Sequence, residues 1–189
     1  MSKRKGKLFV VSAPSGTGKT TIIKNVLKKF PELIFSISAT TRQKRFYEVD
    51  GKDYFFITEK EFLDKIKNDE FIEWEKFYDY YYGTLKSFIE QNLETGKSVV
   101  LEVDVKGALS IKKYYPESVL IFITPPSIDE LKNRLLKRKT ENEIDFEKRI
   151  ARSKMELSFK DKFDYNVVNK NLSEANEQVY KIIENEIER

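Results

Sequence analysis

The stretch Leu8–Thr20, LFVVSAPSGTGKT, constrains the fold of this chain more than any other. Four consecutive apolar residues, Leu8 to Val11, read as a strand buried on both faces, the pattern of a parallel sheet covered by helices. Glycines follow at 16 and 18, and Lys19-Thr20 then opens a helix over Lys19–Phe30 with Ile22, Ile23, Val26 and Leu27 on one face. A strand, a tight glycine loop and a helix start together make a phosphate cradle. Backbone N–H groups converge on an anion there, at the positive end of the helix dipole. The strict loop pattern asks for glycine where Ala13 stands. Ala13 precedes Pro14 and is held to extended backbone, which alanine adopts without strain. The expected nucleotide contacts are Ala13, Pro14, Ser15, Gly16, Thr17, Gly18, Lys19, Thr20 and Thr21. Lys19 would reach the outer phosphates and the Thr20 hydroxyl would ligate magnesium.

Further apolar runs extend the pattern. Ser98–Val105 (SVVLEVDV), Ser118–Thr124 (SVLIFIT) and Tyr165–Asn169 (YNVVN) read as three more core strands. Helical periodicity runs through Ile128–Lys137, Asp145–Phe159 and Ser173–Ile187, so the alternation predicts an α/β fold with a parallel sheet. Two segments interrupt it. From Phe35 to Tyr82, aromatic and charged residues mix with short strand-like pieces (KDYFFIT, EFIEWEKF) around a helix at Glu59–Asn68. This reads as an inserted α+β lobe. From Lys132 to Lys162 both charge signs crowd together, with few apolar residues between Lys137 and Asp145, as expected of a solvent-facing lid. The expected division is a core of residues 1–36, 87–127 and 156–189, a lobe at 37–86 and a lid at 128–155, forming one unit.

Composition narrows the chemistry. The 189 residues include no cysteine and no histidine, so any metal must be held by oxygen, which points to magnesium. Thirty-five basic residues against thirty-one acidic ones leave no strong nucleic-acid footprint. No apolar stretch reaches membrane-span length and no secretory segment follows the start, so the expectation is cytoplasmic, without a membrane partner. Glu102 and Asp104 alternate toward the carboxyl end of the second strand, where ligands bind open parallel sheets. Arginines suited to phosphate stand at i,i+4 (Arg134, Arg138), at i,i+3 (Arg149, Arg152) and in the inserted lobe (Arg42, Arg45). Nothing in the sequence sets an oligomeric state.

SISATTRQKRFYEVDGKDYFF (Ser36–Phe56) and FIEWEKFYDYYYGT (Phe71–Thr84) closely resemble the nucleotide-acceptor region of guanylate kinases. SAPSGTGKT, LEVDVKG and PPSIDELKNRLLKRKTE fall in the order that family shows, and the resemblance covers nearly the whole chain. It implies a P-loop kinase fold, a five-stranded parallel sheet flanked by helices with an inserted GMP-binding lobe and a helical lid. It also implies Mg2+-dependent transfer of a phosphoryl group from ATP to GMP, and to dGMP, giving ADP and GDP in purine nucleotide metabolism. Position by position, the resemblance assigns Ser38, Glu73 and Thr84 to the guanine base. Arg42, Arg45, Tyr54 and Tyr82 would hold the GMP phosphate with Glu48 nearby. Asp104 falls near the acceptor and near magnesium, through water, and Arg134, Arg138 and Arg149 match the lid arginines that close over ATP. The implied catalytic set is Lys19, Arg42, Arg134, Arg138 and Arg149. Three positions depart from the family pattern: Glu102 for aspartate, Lys106 for glutamine and Lys139 for glycine.

The chemistry of the reaction is consistent with these assignments. Guanine presents N1–H and N2–H₂ as adjacent donors that match the two oxygens of a carboxylate, whereas adenine N1 is an acceptor. A site built on such hydrogen bonds discriminates by roughly 10⁴–10⁵-fold. The phosphate oxygen of GMP is already ionised, so no general base is needed and a chain without histidine can do the work. The alternative is a non-catalytic guanylate-kinase-like module that binds phosphopeptides; the intact Gly18-Lys19-Thr20 speaks against it.

Overall fold

Side chains of the first strand point alternately to two different cores, and that alternation decides the layering. The computed structural model describes residues 5–136 and 143–189. In chain order the elements begin β1 (Leu8–Ser12), α1 (Lys19–Lys29), β2 (Ile34–Phe35), β3 (Ala39–Thr40) and β4 (Phe55–Phe56). They continue with α2 (Glu59–Lys67), β5 (Phe71–Phe77), β6 (Tyr80–Leu85), α3 (Lys86–Glu94), β7 (Val99–Glu102) and α4 (Val105–Tyr114). The chain closes with β8 (Val119–Thr124), α5 (Ile128–Leu136), α6 (Glu143–Leu157), β9 (Tyr165–Val168) and α7 (Leu172–Glu188).

The main sheet has five strands in the order β2-β7-β1-β8-β9, all parallel. Phe9 and Val11 face one cluster with Ile22, Ile23 and Val26 of α1 and Ala175, Val179 and Ile183 of α7. Leu8 and Val10 face the other, with Ile89 of α3 and Val105, Ala108 and Ile111 of α4. Period-two strands between period-3.6 helices thus bury both faces of the sheet, which is why its strands read as unbroken apolar runs. The register pairs Val11 with Glu102, so the carboxyl end of β7 lies beside the point where the chain leaves β1 for the glycine loop.

A second, mixed sheet runs β4-β3-β6-β5. Its small core holds Ala39, Phe62 and Phe71, with the Phe62 ring stacked 4.3 Å from Phe71 and 5.3 Å from Tyr81. Helix α2 is fixed over it by a capping box between Thr58 and Glu61. Strand β5 ties the two sheets together. Phe71 packs into the small core while Ile72 joins the main core, and a bulge between Phe71 and Glu73 makes this double allegiance possible. Helices α5 and α6 share a fourth cluster of Leu131, Leu135 and Ile150, with Phe146 against it.

One expected strand is shorter in the structure. The run Ser98–Val105 keeps strand geometry only from Val99 to Glu102, and Asp104 is the N-cap of α4, accepting the Gly107 N–H at 2.8 Å. Aspartate is a strong cap residue, and Val105, Ala108 and Ile111 follow at helical spacing into the core. Helices α3 and α4 and strands β2, β3 and β6 are additions to the elements read from the sequence. Arg138 and Lys139 lie outside the described residues.

Leu101, on the interior strand β7 of the main sheet, is 1% exposed. Leu101→Ala is expected to lower unfolding free energy by about 2–5 kcal/mol, measured by urea titration.

Candidate active site

The loop between β1 and α1 has the geometry of an anion seat. Gly16 and Gly18 adopt φ of 88° and 91°, in the left-handed region. A Cβ on Gly18 would lie 2.7 Å from the Asn169 amide nitrogen, and one on Gly16 would lie 2.9 Å from a Leu135 methyl. The turn is braced from inside by Thr17, which donates from Oγ1 to the Pro14 carbonyl at 2.8 Å, and from outside by Asn169 Nδ2, which donates to the Thr17 carbonyl at 2.6 Å. Gly18 caps α1 without a side chain, and the first turn carries no acidic residue. Its orphan N–H groups and the helix dipole are therefore left for an external anion.

Two clefts meet at this loop. One, of about 690 Å³, is lined by the loop from Ala13 to Thr21 together with Tyr54, Glu75, Tyr82, Glu102, Asp104, Arg149 and Arg152. The other, of about 510 Å³, is lined by Ser38, Arg45, Glu48, Tyr54, Glu73, Glu75, Tyr82, Glu102 and Asp104 among others. Lys19 and Thr20 line both. Lys19 Nζ donates to the Val103 carbonyl at 3.2 Å and lies 3.5 Å from Glu102 Oε1, while Thr20 Oγ1 donates to Glu102 at 3.2 Å. A third cleft, of about 340 Å³, lies on the far side of the loop, lined by Gly16, Gly18, Thr21, Arg134 and Asn169. Arg134 is held there by Glu130 at 2.9 Å and by the Asn169 carbonyl at 3.1 Å.

The second cleft carries two tuned carboxylates. Glu73 is pushed up to about 7, first by burial, and receives the Thr84 hydroxyl at 2.6 Å. The bulge in β5 sets Glu73 opposite Thr84, and Gly107 leaves room behind it, since a Cβ there would lie 3.1 Å from Glu73 Oε2. Glu48 is held down at about 2, chiefly by a two-pronged bond with Arg42 at 2.7 and 2.9 Å and also by the Arg45 N–H at 2.8 Å. Arg42 is fixed in turn by the Tyr54 ring, 5.3 Å from its guanidinium. Tyr82 stands 6.2 Å from Tyr54. Of the three successive tyrosines, Tyr81 packs in the small core and Tyr82 faces the clefts.

A family model for guanylate kinase matches residues 5–186. The chain belongs to the guanylate kinase family. It is 53% identical over 182 residues to a guanylate kinase of Thermotoga maritima, an alignment covering 96% of this chain and 88% of that protein. A guanylate kinase of Caldanaerobacter subterraneus is 51% identical, with 96% and 88% covered. The crystal structure of guanylate kinase from Anaplasma phagocytophilum superposes with a TM-score of 0.76 at 29% identity, covering 99% of this chain and 89% of that one. Membership of the guanylate kinase family makes this chain a nucleotide-binding phosphotransferase.

The structure brings most residues expected from the guanylate kinase resemblance to the two clefts. Thr84 stands behind Glu73, and Arg42 behind Glu48, each bonded to the carboxylate in front of it. Other cleft residues were not in the expected set. Glu102 touches both Lys19 and Thr20, and its signal was its place at a strand end paired with β1. Arg152 carried the i,i+3 spacing with Arg149. Glu75 and Glu156 left no comparable signal, and neither did Asn169, which braces Thr17 from 152 residues away.

Because Glu73 is raised, folding disfavours its charged form. Its contribution to stability is full below the ordinary carboxyl range and is lost as pH rises through about 7. Glu73→Gln is expected to flatten that segment of the stability curve, measured by denaturant titration across the same window.

Proposed function

We propose that the chain transfers the γ-phosphoryl group of ATP to GMP, giving ADP and GDP, with the glycine-loop cleft as donor site and the Glu73 cleft as acceptor site. The observation that carries this reading is the shared wall: Lys19 and Thr20 line both clefts, so one cation faces both nucleotides. Residues 37–86 then act as the acceptor lobe and 128–155 as the lid.

Glu73 reads guanine through N1–H and N2–H₂, and Thr84 keeps its carboxylate turned to the base. Ser38, lining the same cleft, offers a hydroxyl to O6 while the Thr84 hydroxyl is engaged by Glu73. The Glu48–Arg42 pair and the Tyr54 ring hold one guanidinium rigid before the acceptor phosphate arrives, so little ordering remains to be done on binding. Arg45, Tyr54 and Tyr82 complete the phosphate seat.

On the donor side, the bare helix start and Lys19 take the phosphates, and Arg149 lines the same cleft. The Thr20 hydroxyl and the carboxylates of Glu102 and Asp104 are hard oxygen donors that suit magnesium. Magnesium would be held there by the Thr20 hydroxyl, with the Asp104 carboxylate in the same cleft. Magnesium, when bound, supplies neutralisation of phosphate charge. Lys19 and the arginines then have to align an already ionised acceptor oxygen with the phosphoryl group and offset the spreading charge.

An acceptor panel tests the reading: ADP release with GMP, and little with AMP, CMP or UMP, is expected. Equal turnover of AMP would remove Glu73 from the base site. Lys19→Ala is expected to cut turnover by about 10³-fold while unfolding stays cooperative. Glu73→Gln should lower kcat/KM for GMP by about 10²-fold, the scale of a lost charged hydrogen bond.

A further inference from the structure

Arg152 projects from α6 into the donor cleft and meets carboxylates of three different segments. Its Nε donates to Glu156 at 3.0 Å on its own helix. Its Nη2 lies 3.5 Å from Asp104 Oδ2 on the core and 3.8 Å from Glu75 Oε2 on β5. The Phe77 ring, at the end of β5, lies 5.2 Å from the guanidinium. Glu75 is two residues beyond Glu73, so by the strand period both look into the acceptor cleft, about 7 Å apart. Glu75 and Asp104 meet across the join between the two sheets, where burial and the facing Asp104 hold the Glu75 carboxyl above the usual carboxylate range, and the Arg152 guanidinium lies against both.

We propose that Arg152 is a positioning residue for the phosphotransfer: by bridging Glu75 and Asp104 it seats β5 against the core, and so fixes the height of Glu73, and of the guanine it holds, above the phosphate loop. This rests on the acceptor reading of the Glu73 cleft. Without Arg152 the facing carboxylates push the acceptor strand away, and GMP binding must overcome that repulsion. The side chains of Arg152 and Glu75 are 38% and 44% exposed, so water screens the bridge and the expected effect is moderate. An arginine acting directly on the transferring phosphoryl group would instead be worth about 10³–10⁵-fold in kcat.

The test is steady-state kinetics of Arg152→Ala and Arg152→Lys, with Glu75→Gln alone and combined with Arg152→Ala. Binding is read separately from the fluorescence of Trp74, the sole tryptophan, adjacent to Glu75. Arg152→Ala is expected to raise KM and the dissociation constant for GMP by about tenfold, with kcat reduced less than about threefold. Arg152→Lys should retain most of the affinity, and Glu75→Gln should restore GMP binding in the Arg152→Ala background. If Arg152→Ala does not fold, Arg152→Gln carries the same expectations. Unchanged GMP affinity, a kcat loss near 10³-fold at constant KM, or no rescue by Glu75→Gln would each overturn the proposal. Failure of the unsubstituted chain to bind and phosphorylate GMP would instead refute the acceptor reading itself.

Discussion

The parallel register between β1 and β7 is the constraint on which the site depends. Pairing Val11 with Glu102 ends both strands at the same level, so the glycine loop leaves one strand where the other delivers its acids. Lys19, at the start of α1, is then close enough to bond Val103 and to meet Glu102. A shift of one residue would turn Glu102 from the loop toward the opposite face of the sheet and break the alternation that fills both cores. Catalytic geometry and hydrophobic packing are therefore set by one ladder of hydrogen bonds.

That ladder was the most legible part of the sequence. Val10, Leu101, Phe122 and Val167 belong to runs that only a doubly covered parallel sheet buries, so four of its strands could be read from their apolar runs. The fifth, Ile34–Phe35, is too short to show periodicity and takes its geometry from β7. Asp104 was legible as an acid at the right place, but its capping role was masked by Val103 and Val105, which prolong the β-like alternation past the true strand end. The resemblance reached Glu73 and Thr84, yet the bulge that sets them face to face has no local sequence signature. Asn169 could not be read from local pattern, because its partner Thr17 lies far along the chain; Arg152 showed its spacing with Arg149 but not its distant partners Asp104 and Glu75.

Charge in the clefts is arranged in opposed pairs. Arg42 with Glu48 and Lys19 with Glu102 give each half of the site a cation whose position is set before any phosphate arrives. Fixed dipoles and charges stabilise a developing charge without reorganising at the moment of reaction. Glu73 faces no such cation: burial pushes it up to about 7, and the side chain bonded to it is the neutral Thr84 hydroxyl.

The bulge at Ile72 has a consequence for how this region tolerates change. Phe71, Ile72 and Glu73 are consecutive, yet each answers to a different environment: the small core, the main core and the second cleft. An inserted or deleted residue here could not be absorbed by the neighbouring turn, because it would rotate all three assignments at once. The segment acts as a mechanical key: its length, as much as its composition, ties the lining of the second cleft to the integrity of the fold.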